Sequence, residues 1–360
     1  MCGIIVWLDE SIALGHRRLA VIDIPGGTQP MTVRRDGTVT AVITYSGEVY
    51  NFRELRTELR GHGHPFRTDS DTEVLLRAYL QWGDQFVERL RGIFAFGLWD
   101  HAHQRLILGR DRIGVKPLYY RPTPHGLLFA SEPKGILAHP AVTAEVDPDG
   151  LRELLTHFTS PGRTPYRDMY DVRPGQLVIA DRTGVRHQRY WSLHTEEHPD
   201  DLPTTVRTVR QLLQEAVTEQ LIADVPLCTL LSGGLDSSTL TAIAAGPPTS
   251  GPRIRTCAID FAGQTENFRP DAVRDAPDTP LRALQAMPTP ITPRDCFRLP
   301  PRARRQIRIS DHDLIQNRSP AGYQMALWRG VSRKRAFLNI CYGISTEGAT
   351  TRLKRAVWFG

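Results

Sequence analysis

The second residue of the chain is a cysteine, and it is the first candidate for chemistry. In the start MCGI the residue after the initiator Met is small enough for that Met to be removed. Cys2 would then carry both a thiol nucleophile and a free α-amino group, whose pKa of roughly 7.7–8.0 in peptides suits a proton acceptor near neutral pH. Such a residue needs no separate catalytic His. The plain alternative is an ordinary cysteine that follows a start codon.

A second candidate is the serine- and glycine-rich segment 232–238, SGGLDSS, between a predicted strand over 225–231 and a predicted helix over 237–245. Glycines let a backbone approach a phosphate closely, and a helix N-terminus offers unpaired N–H groups. The segment has no GK[ST] lysine, so it is not a Walker A loop. It suits a pyrophosphate, with Asp236 as a magnesium contact, direct or through water. The plain alternative is a tight turn between strand and helix.

This segment resembles the pyrophosphate-binding loop of ATP pyrophosphatases. Its combination with the MCGI start resembles the glutamine-hydrolysing asparagine synthetase family. The resemblance implies an N-terminal-nucleophile domain that hydrolyses glutamine. It also implies a synthetase domain in which the ammonia attacks β-aspartyl-AMP made from ATP and aspartate. The implied cofactors are ATP and Mg²⁺, and the implied partners are small molecules: glutamine, aspartate and ATP.

Further segments carry the resemblance: residues 16–23 (HRRLAVID), 46–51 (SGEVYN), 70–73 (SDTE) and 110–120 (RDRIGVKPLYY). They imply a glutaminase centre with Cys2 as the nucleophile and its own α-amine as the base. Gly47 and Ser46 would lie at the oxyanion. The implied glutamine-binding residues are Arg18, Ile22, Glu48 and Asp71. The implied ATP-binding residues are Leu231, Ser232, Gly233, Gly234, Leu235, Asp236, Ser237, Ser238 and Ile259, of which the first and last would flank the adenine.

Each of these segments also has a plain reading. Arg18 could be a surface cation, Glu48 and Glu73 helix-start charges, Asp71 a cap, and 110–120 a buried strand and turn. The pattern is also broken in places. Ser46 stands where the family has Asn, and losing an oxyanion donor elsewhere costs on the order of 10²–10³ in rate. Only 15 residues separate Cys2 from Arg18, without the family's RGPD motif, and no later synthetase motif follows residue 261.

Short β-rich runs and two helices predict a layered α+β domain over residues 1–193, by resemblance an αββα N-terminal-nucleophile sandwich. One helix ends at Gly61; the other opens with a capping box at Ser70 and closes at Gly83. Residues 194–203 read as a linker. Residues 204–280, with Thr204 or Thr205 as a helix cap, begin a doubly wound α/β sheet, by resemblance an incomplete ATP-pyrophosphatase domain. Residues 281–360 read as a divergent basic tail rich in Pro and Arg, for which disorder and a disrupted reading frame are hypotheses.

Composition narrows the class of protein. The net charge of +6 misleads, since residues 281–360 hold 15 Lys and Arg against 4 Asp and Glu. The rest is slightly acidic, and the basic tail lacks the interleaved aromatic residues and the folded context that nucleic-acid binding uses, which argues against a nucleic-acid partner. No apolar run approaches the roughly 20 residues of a membrane helix. The five cysteines are widely spaced without a CxxC pair, which favours a reducing cytoplasm over a zinc site or a disulfide framework.

The sequence leaves two alternatives to asparagine synthesis. One is a related amidotransferase that amidates another carboxylate, since the acceptor pocket would lie in the missing or divergent region. The other is an inactive family remnant. The oligomeric state cannot be read from the sequence.

Overall fold

A computed structural model describes residues 3–8, 12–124, 126–156, 160–231, 234–246, 254–257, 338–347 and 350–359. The chain divides into two compact units, residues 1–198 and 199–360. None of the helices in these ranges is long and apolar enough to cross a bilayer.

The first unit contains eleven of the strands in the described ranges. They are β1 Gly3–Leu8, β2 Ile12–Arg17, β3 Met31–Arg35, β4 Thr38–Val49, β5 Gly92–Asp100, β6 Arg105–Arg110, β7 Tyr119–Thr123, β8 Gly126–Ala130, β9 Tyr170–Asp171, β10 Gln176–Asp181 and β11 Gly184–Arg189. The helices are α1 Phe52–Gly61, α2 Asp71–Trp82, a 3₁₀ helix Gly83–Arg89, α3 Pro133–Leu137 and α4 Pro148–Leu155.

These strands form two antiparallel sheets, of order β2-β1-β8-β7-β9 and β11-β10-β6-β5-β4-β3. Their inner faces share one buried cluster, to which Trp99 and Leu106 contribute from the six-stranded sheet and Tyr120 and Phe129 from the five-stranded sheet. Apolar side chains on alternate positions of each strand provide these faces. The two sheets therefore pack face to face around the main core.

Helices cover the outer faces. Phe86 of the 3₁₀ helix contacts Tyr79 of α2 and Phe96 of β5, with ring centroids 5.8 and 5.5 Å apart respectively. On the other side, Ile136 of α3 packs against Leu128 of β8. The order helix, sheet, sheet, helix confirms the predicted αββα sandwich.

Helices α1 and α2 lie where the sequence predicts them, but the start of α2 differs from a complete capping box. Ser70 caps the helix, because its hydroxyl accepts the N–H of Thr72 at 3.1 Å. The carboxylate of Glu73 instead accepts the N–H groups of Arg67 and Thr68, at distances down to 2.8 Å. Burial acts to raise the pKa of Glu73, but these hydrogen bonds lower it below its ordinary value. Glu73 therefore fixes the segment that leads into α2.

The segment 110–120 is organised by Asp111, which is buried. One carboxylate oxygen accepts the N–H groups of Ile113 and Val115 at 3.2 and 2.9 Å. The other accepts those of Phe94 and Lys116 at 3.2 and 3.0 Å. The plain reading of this segment as a buried strand and turn thus fits what the structure shows.

Arg110 fastens the same turn to the neighbouring sheet. Its guanidinium donates to the carbonyls of Gly114 and Lys116 at 2.9 and 2.8 Å, and it pairs with Asp171 at 2.8 Å. Asp171 belongs to β9 of the five-stranded sheet and Arg110 ends β6 of the six-stranded one. The pair therefore joins the two sheets at one edge.

The second unit has helices α5 Leu202–Gln220 and α6 Leu235–Ala245 and strands β12 Leu227–Leu230, β13 Arg255–Cys257, β14 Leu338–Glu347 and β15 Thr350–Phe359. Strand β12 pairs in parallel with β13, as an α/β sheet requires. Helix α5 is capped by Asp201, whose carboxylate accepts the N–H of Thr204 at 2.9 Å. The predicted caps Thr204 and Thr205 are wrong, because both lie inside the first turn.

Strands β14 and β15 lie in the region for which the sequence analysis raised disorder. They form an antiparallel hairpin, and β15 pairs in parallel with β12. Residues 338–347 and 350–359 are therefore strands, although disorder was the hypothesis for this region. The signal was present, because apolar residues alternate with a period of two from Leu338 to Ile344.

We expect Asp111→Ala to lower the free energy of unfolding by about 3 kcal/mol, because four backbone N–H groups lose a buried acceptor. The measurement is urea unfolding followed by tryptophan fluorescence. The exposed Glu88→Ala is the matched control, with a change within about 0.5 kcal/mol. Equal unfolding midpoints for the two variants would contradict the role of Asp111.

Candidate active site

A pocket of the first unit brings together all four residues predicted to bind glutamine, Arg18, Ile22, Glu48 and Asp71, with Gly47 beside them. It holds about 250 Å³ of empty space, part of it open to solvent. They come from the segment after β2, the end of β4 and the start of α2. The pocket is also lined by Leu19, Val21, Gln29, Tyr45 and Thr72.

Arg18 is half-buried and lies against the loop that follows it. Its Nη1 donates to the carbonyl of Ile24 at 2.9 Å. Its Nη2 donates to the carbonyls of Ile22 and Asp23 at 2.6 and 2.9 Å. These three bonds fix the orientation of the guanidinium, which has further N–H donors suited to a carboxylate.

Asp71 is the first residue of α2, and its carboxylate is buried in the pocket wall. Its Oδ2 accepts the hydroxyl of Tyr45 at 2.8 Å and the N–H of Val49 at 3.2 Å. Burial raises the pKa of Asp71, although these hydrogen bonds and the charge of Arg18 act in the opposite direction. Burial leaves this carboxylate poorly solvated, so a bound cationic group such as an ammonium would stabilise its ionised form.

Gly47 and Glu48 lie near the end of strand β4. Gly47 has a φ of 145°, and a Cβ there would come within 2.0 Å of the carbonyl oxygen of Ile93 on β5. Only glycine fits this close approach. Glu48, next in the chain, is buried and lines the pocket.

Ser46 is buried but does not line this pocket. On β4 it lies two residues after Thr44, whose hydroxyl bonds Nδ1 of His16 on β2 at 2.9 Å. Alternate residues of a strand share a face, so Ser46 lies on the face turned toward the five-stranded sheet. That sheet contains β1, the strand that follows Cys2. Its role at the oxyanion stays a prediction.

His16 brings no positive charge to this region at neutral pH. Burial, and then the neighbouring charge of Arg18, lower the pKa of His16 to about 4. Its Nε2 is buried without a hydrogen-bond partner in the described part of the chain. Arg18 is therefore the cation that lines the pocket.

Cys2 lies outside the described residues. Strand β1 begins one residue later, at Gly3, which pairs with Arg17 of β2. Arg17 is bonded to Arg18. The strand that follows the predicted nucleophile thus begins beside the segment that carries Arg18.

The predicted ATP loop joins the end of β12 to the start of α6. Six of its residues are described, and Ser232, Gly233 and Ile259 lie outside the described ranges. Gly234 caps α6, and its carbonyl accepts the N–H of Ser238 at 3.0 Å. Asp236 is exposed in the first turn of the helix. The helix starts at Leu235 rather than at residue 237, because Gly234 already adopts the cap conformation.

The sequence analysis missed residues that hold the pocket together. Tyr45 bonds Asp71, and Gln29 accepts the N–H of Tyr45 at 2.6 Å and donates to Thr72 at 3.3 Å. The alternation along β4 places Tyr45 on one face with Ile43 and was a usable signal. No periodicity marks Gln29, which lies in a loop.

Two family models match this chain. The model of the glutamine amidotransferase domain family matches residues 3–191. The chain belongs to that family. The asparagine synthase model matches residues 208–288, so both parts of the predicted asparagine synthetase resemblance are confirmed.

Three curated relatives are similar to this chain. Asparagine synthetase [glutamine-hydrolyzing] 3 of Bacillus subtilis is 44% identical over 76% of this chain and 45% of its own length. Asparagine synthetase [glutamine-hydrolyzing] 1 of the same organism is 33% identical over 71% of this chain and 40% of its own length. Amidase chry2 of Gibberella zeae is 36% identical over 66% of this chain and 36% of its own length. The chain thus spans less than half the length of these relatives.

The raised pKa of Asp71 predicts how Asp71→Asn changes stability with pH. A carboxyl whose folded pKa is raised favours the folded state below its unfolded pKa and loses that contribution as pH rises through the folded pKa. Asn does not ionise. We therefore expect the free energy of unfolding of the variant, relative to wild type, to increase from pH 4 to pH 7.

Urea unfolding at several pH values measures this difference, with the exposed Asp36→Asn as the control. A difference for Asp71→Asn that falls as pH rises would contradict the raised pKa.

Proposed function

We propose that the first unit hydrolyses glutamine and that the ammonia serves an ATP-dependent amidation, in the manner of a glutamine-hydrolysing asparagine synthase. The convergence of Arg18, Glu48 and Asp71 on one pocket, beside the strand that follows Cys2, carries the proposal. Opposite charges match the α-carboxylate and the α-ammonium of an amino acid. Membership of the glutamine amidotransferase family supports the same reaction.

In this proposal Arg18 binds the α-carboxylate of glutamine, and Asp71 binds the α-ammonium. Glu48 binds the substrate between them, and the backbone of Ile22 forms the adjoining wall. Two charged contacts at one end of the substrate orient its side-chain amide toward the nucleophile, which reduces the entropic cost of reaction.

The sulfur of Cys2 then attacks the amide carbon, and the α-amine of Cys2 accepts the thiol proton. The oxyanion that forms accepts hydrogen bonds from the N–H of Gly47 and from Ser46. The protonated amine gives its proton to the leaving nitrogen, so ammonia departs and a thioester remains. Water hydrolyses the thioester to glutamate and restores the thiol. A reduced thiol is required, which is why we place the reaction in a reducing cytoplasm.

The second unit would bind ATP at the loop between β12 and α6, with glutamine-derived ammonia and aspartate as the other reactants. The positive end of the helix dipole at the start of α6 favours an anion such as a pyrophosphate, and the buried Ser237 and Ser238 lie in that turn. The match to the asparagine synthase model supports this assignment.

Mg²⁺ would accompany the nucleotide. In such sites Mg²⁺ is held by one or two carboxylates together with phosphate oxygens. The exposed carboxylate of Asp236 at the start of α6 fits that donor set. In the described ranges no cluster of three His, Cys, Asp or Glu side chains could hold a metal alone. The bound ion would supply charge neutralisation at the phosphates.

A second candidate is an amidotransferase that acts on a different carboxylate. The similarity to an amidase of Gibberella zeae supports this second candidate. The same glutaminase chemistry would apply, and the acceptor alone would differ. An inactive family remnant is the third outcome that the experiments below distinguish.

The first experiment compares glutamine hydrolysis by the purified wild-type chain and by Cys2→Ala. We expect low but measurable ammonia release from wild type, because Ser46 is a shorter oxyanion donor than Asn. We expect none above background from Cys2→Ala. Cys228→Ala is the matched control and should retain wild-type activity. Equal release from wild type and Cys2→Ala would exclude Cys2 as the nucleophile.

The second experiment measures exchange of pyrophosphate into ATP with aspartate as the acceptor. We expect exchange by wild type and a loss of about tenfold or more in Asp236→Asn, because a metal contact is removed. Asp200→Asn, exposed outside α6, is the control. Exchange with another carboxylate but not with aspartate would favour the second candidate. No exchange with any carboxylate, together with no glutaminase activity, would identify an inactive remnant.

A further inference from the structure

The loop of residues 22–29 is fastened to the segment that begins α2. Asp23 has a φ of 48°, in the left-handed region that Asp and Asn tolerate better than most residues. One of its carboxylate oxygens accepts the N–H of Gly26 at 2.8 Å, and the other accepts the N–H of Asp69 at 2.7 Å. Asp69 lies two residues before Asp71. The Asp23 carboxylate therefore bridges the loop and the start of α2.

The backbone of Asp23 also holds Arg18. Its carbonyl oxygen accepts Nη2 of Arg18 at 2.9 Å and the N–H of Gly27 at 2.9 Å. One residue thus touches the guanidinium through its main chain and the α2 segment through its side chain. A shift of Asp23 would therefore displace both the guanidinium of Arg18 and the segment that begins α2.

Two adjacent glycines make room for this arrangement. A Cβ on Gly26 would lie 2.2 Å from Oδ2 of Asp23. A Cβ on Gly27 would lie 2.0 Å from Nη2 of Arg18. Neither position accepts a side chain unless the carboxylate or the guanidinium moves away. The turn is therefore built around Asp23 and Arg18.

The other end of the bridge is fixed by Arg56 of α1, which is buried. Its Nη1 donates to the carboxylate of Asp69 at 2.7 Å, and its Nη2 donates to the carbonyl of Ser70 at 3.1 Å. Because Arg56 of α1 holds Asp69 and Ser70, the hydrogen bond between Asp69 and Asp23 fixes the position of the loop relative to α1. Asp71 is the residue that follows Ser70.

We propose that Asp23 is a positioning residue that sets the spacing between Arg18 and Asp71, and through it the selectivity of the pocket for a substrate with both an α-carboxylate and an α-ammonium. The proposal deepens the glutamine site and rests on the proposed function. If Arg18 and Asp71 were free to move apart, the pocket would bind an α-carboxylate and an α-ammonium independently. A fixed spacing favours a substrate that carries both groups on one carbon.

The test compares Gly26→Ala and Asp23→Asn with wild type and with Gly61→Ala. Gly61 ends α1 with no atom within 4 Å of an added Cβ, so its variant is the control. Asp23→Asn tolerates the same backbone conformation, but an amide presents one acceptor where two N–H groups need one each. If Gly26→Ala does not fold, Asp23→Asn alone tests the proposal.

Three substrates are compared: L-glutamine, glutaramate, which lacks the α-amino group, and 4-aminobutyramide, which lacks the carboxylate. We expect Asp23→Asn and Gly26→Ala to raise KM for L-glutamine about tenfold, the loss of one hydrogen bond to a charged group, with kcat within about twofold. We expect the preference for L-glutamine over both analogues to fall by a similar factor. A purely structural role would instead lower the active fraction and leave KM unchanged.

Amide hydrogen exchange at Gly26 and Asp69 reports the bridge without any assay of activity. Faster exchange in Asp23→Asn with an unchanged KM and an unchanged preference would overturn the proposal. So would unchanged exchange at both amides. Absence of Cys2-dependent hydrolysis in wild type would instead count against the proposed function, and the exchange data would still show whether the bridge exists.

Discussion

The pocket depends on one set of hydrogen bonds, those that hold the loop of residues 22–29 against the start of α2. Asp23 reaches Asp69 at one end of the loop, and Gln29 reaches Thr72 at the other. Between these two attachments lies Asp71, and on the loop itself lies the guanidinium of Arg18. In our proposal these bonds keep the side chains of Arg18 and Asp71 apart, although their opposite charges would otherwise draw them into direct contact. The open space between them is what a zwitterionic substrate requires.

The other elements of the first unit hold the residues of the pocket in place. Face-to-face packing of the two sheets fixes β4 against β5, and the close approach at Gly47 depends on that pairing. Helix α2 lies on the outer face of the six-stranded sheet, so its N-terminus reaches the end of β4. Burying Asp71 there costs stability when it is ionised, which a purely structural position would avoid. Such a cost is typical of a residue kept for binding.

Much of this could be predicted from the sequence, and the parts that could not share a physical cause. Resemblance placed Arg18, Glu48 and Asp71, and periodicity placed α1, α2 and the strands around them. Asp23 was within a recognised segment, but its role rests on backbone N–H groups that leave no mark on side-chain patterns. The predicted cap of α5 was wrong because Asp, like Thr, is a capping residue, and it is Asp201 that accepts the N–H of Thr204. Strands β14 and β15 were not predicted, because the composition of the region was weighed above its local alternation of apolar residues. Side-chain periodicity reports which face is buried, and it does not report which loop atoms meet.

The central claim is that this pocket holds the amino-acid end of glutamine while the sulfur of Cys2 reaches its amide. Labelling with 6-diazo-5-oxo-L-norleucine, an electrophilic analogue of glutamine, tests it directly, with the modified residue located by peptide mass spectrometry. Saturable labelling of an amino-terminal Cys2 from which Met1 has been removed, blocked by L-glutamine and lost in Arg18→Ala, is the predicted result. Retention of Met1, or labelling at another residue that L-glutamine does not block, would contradict it.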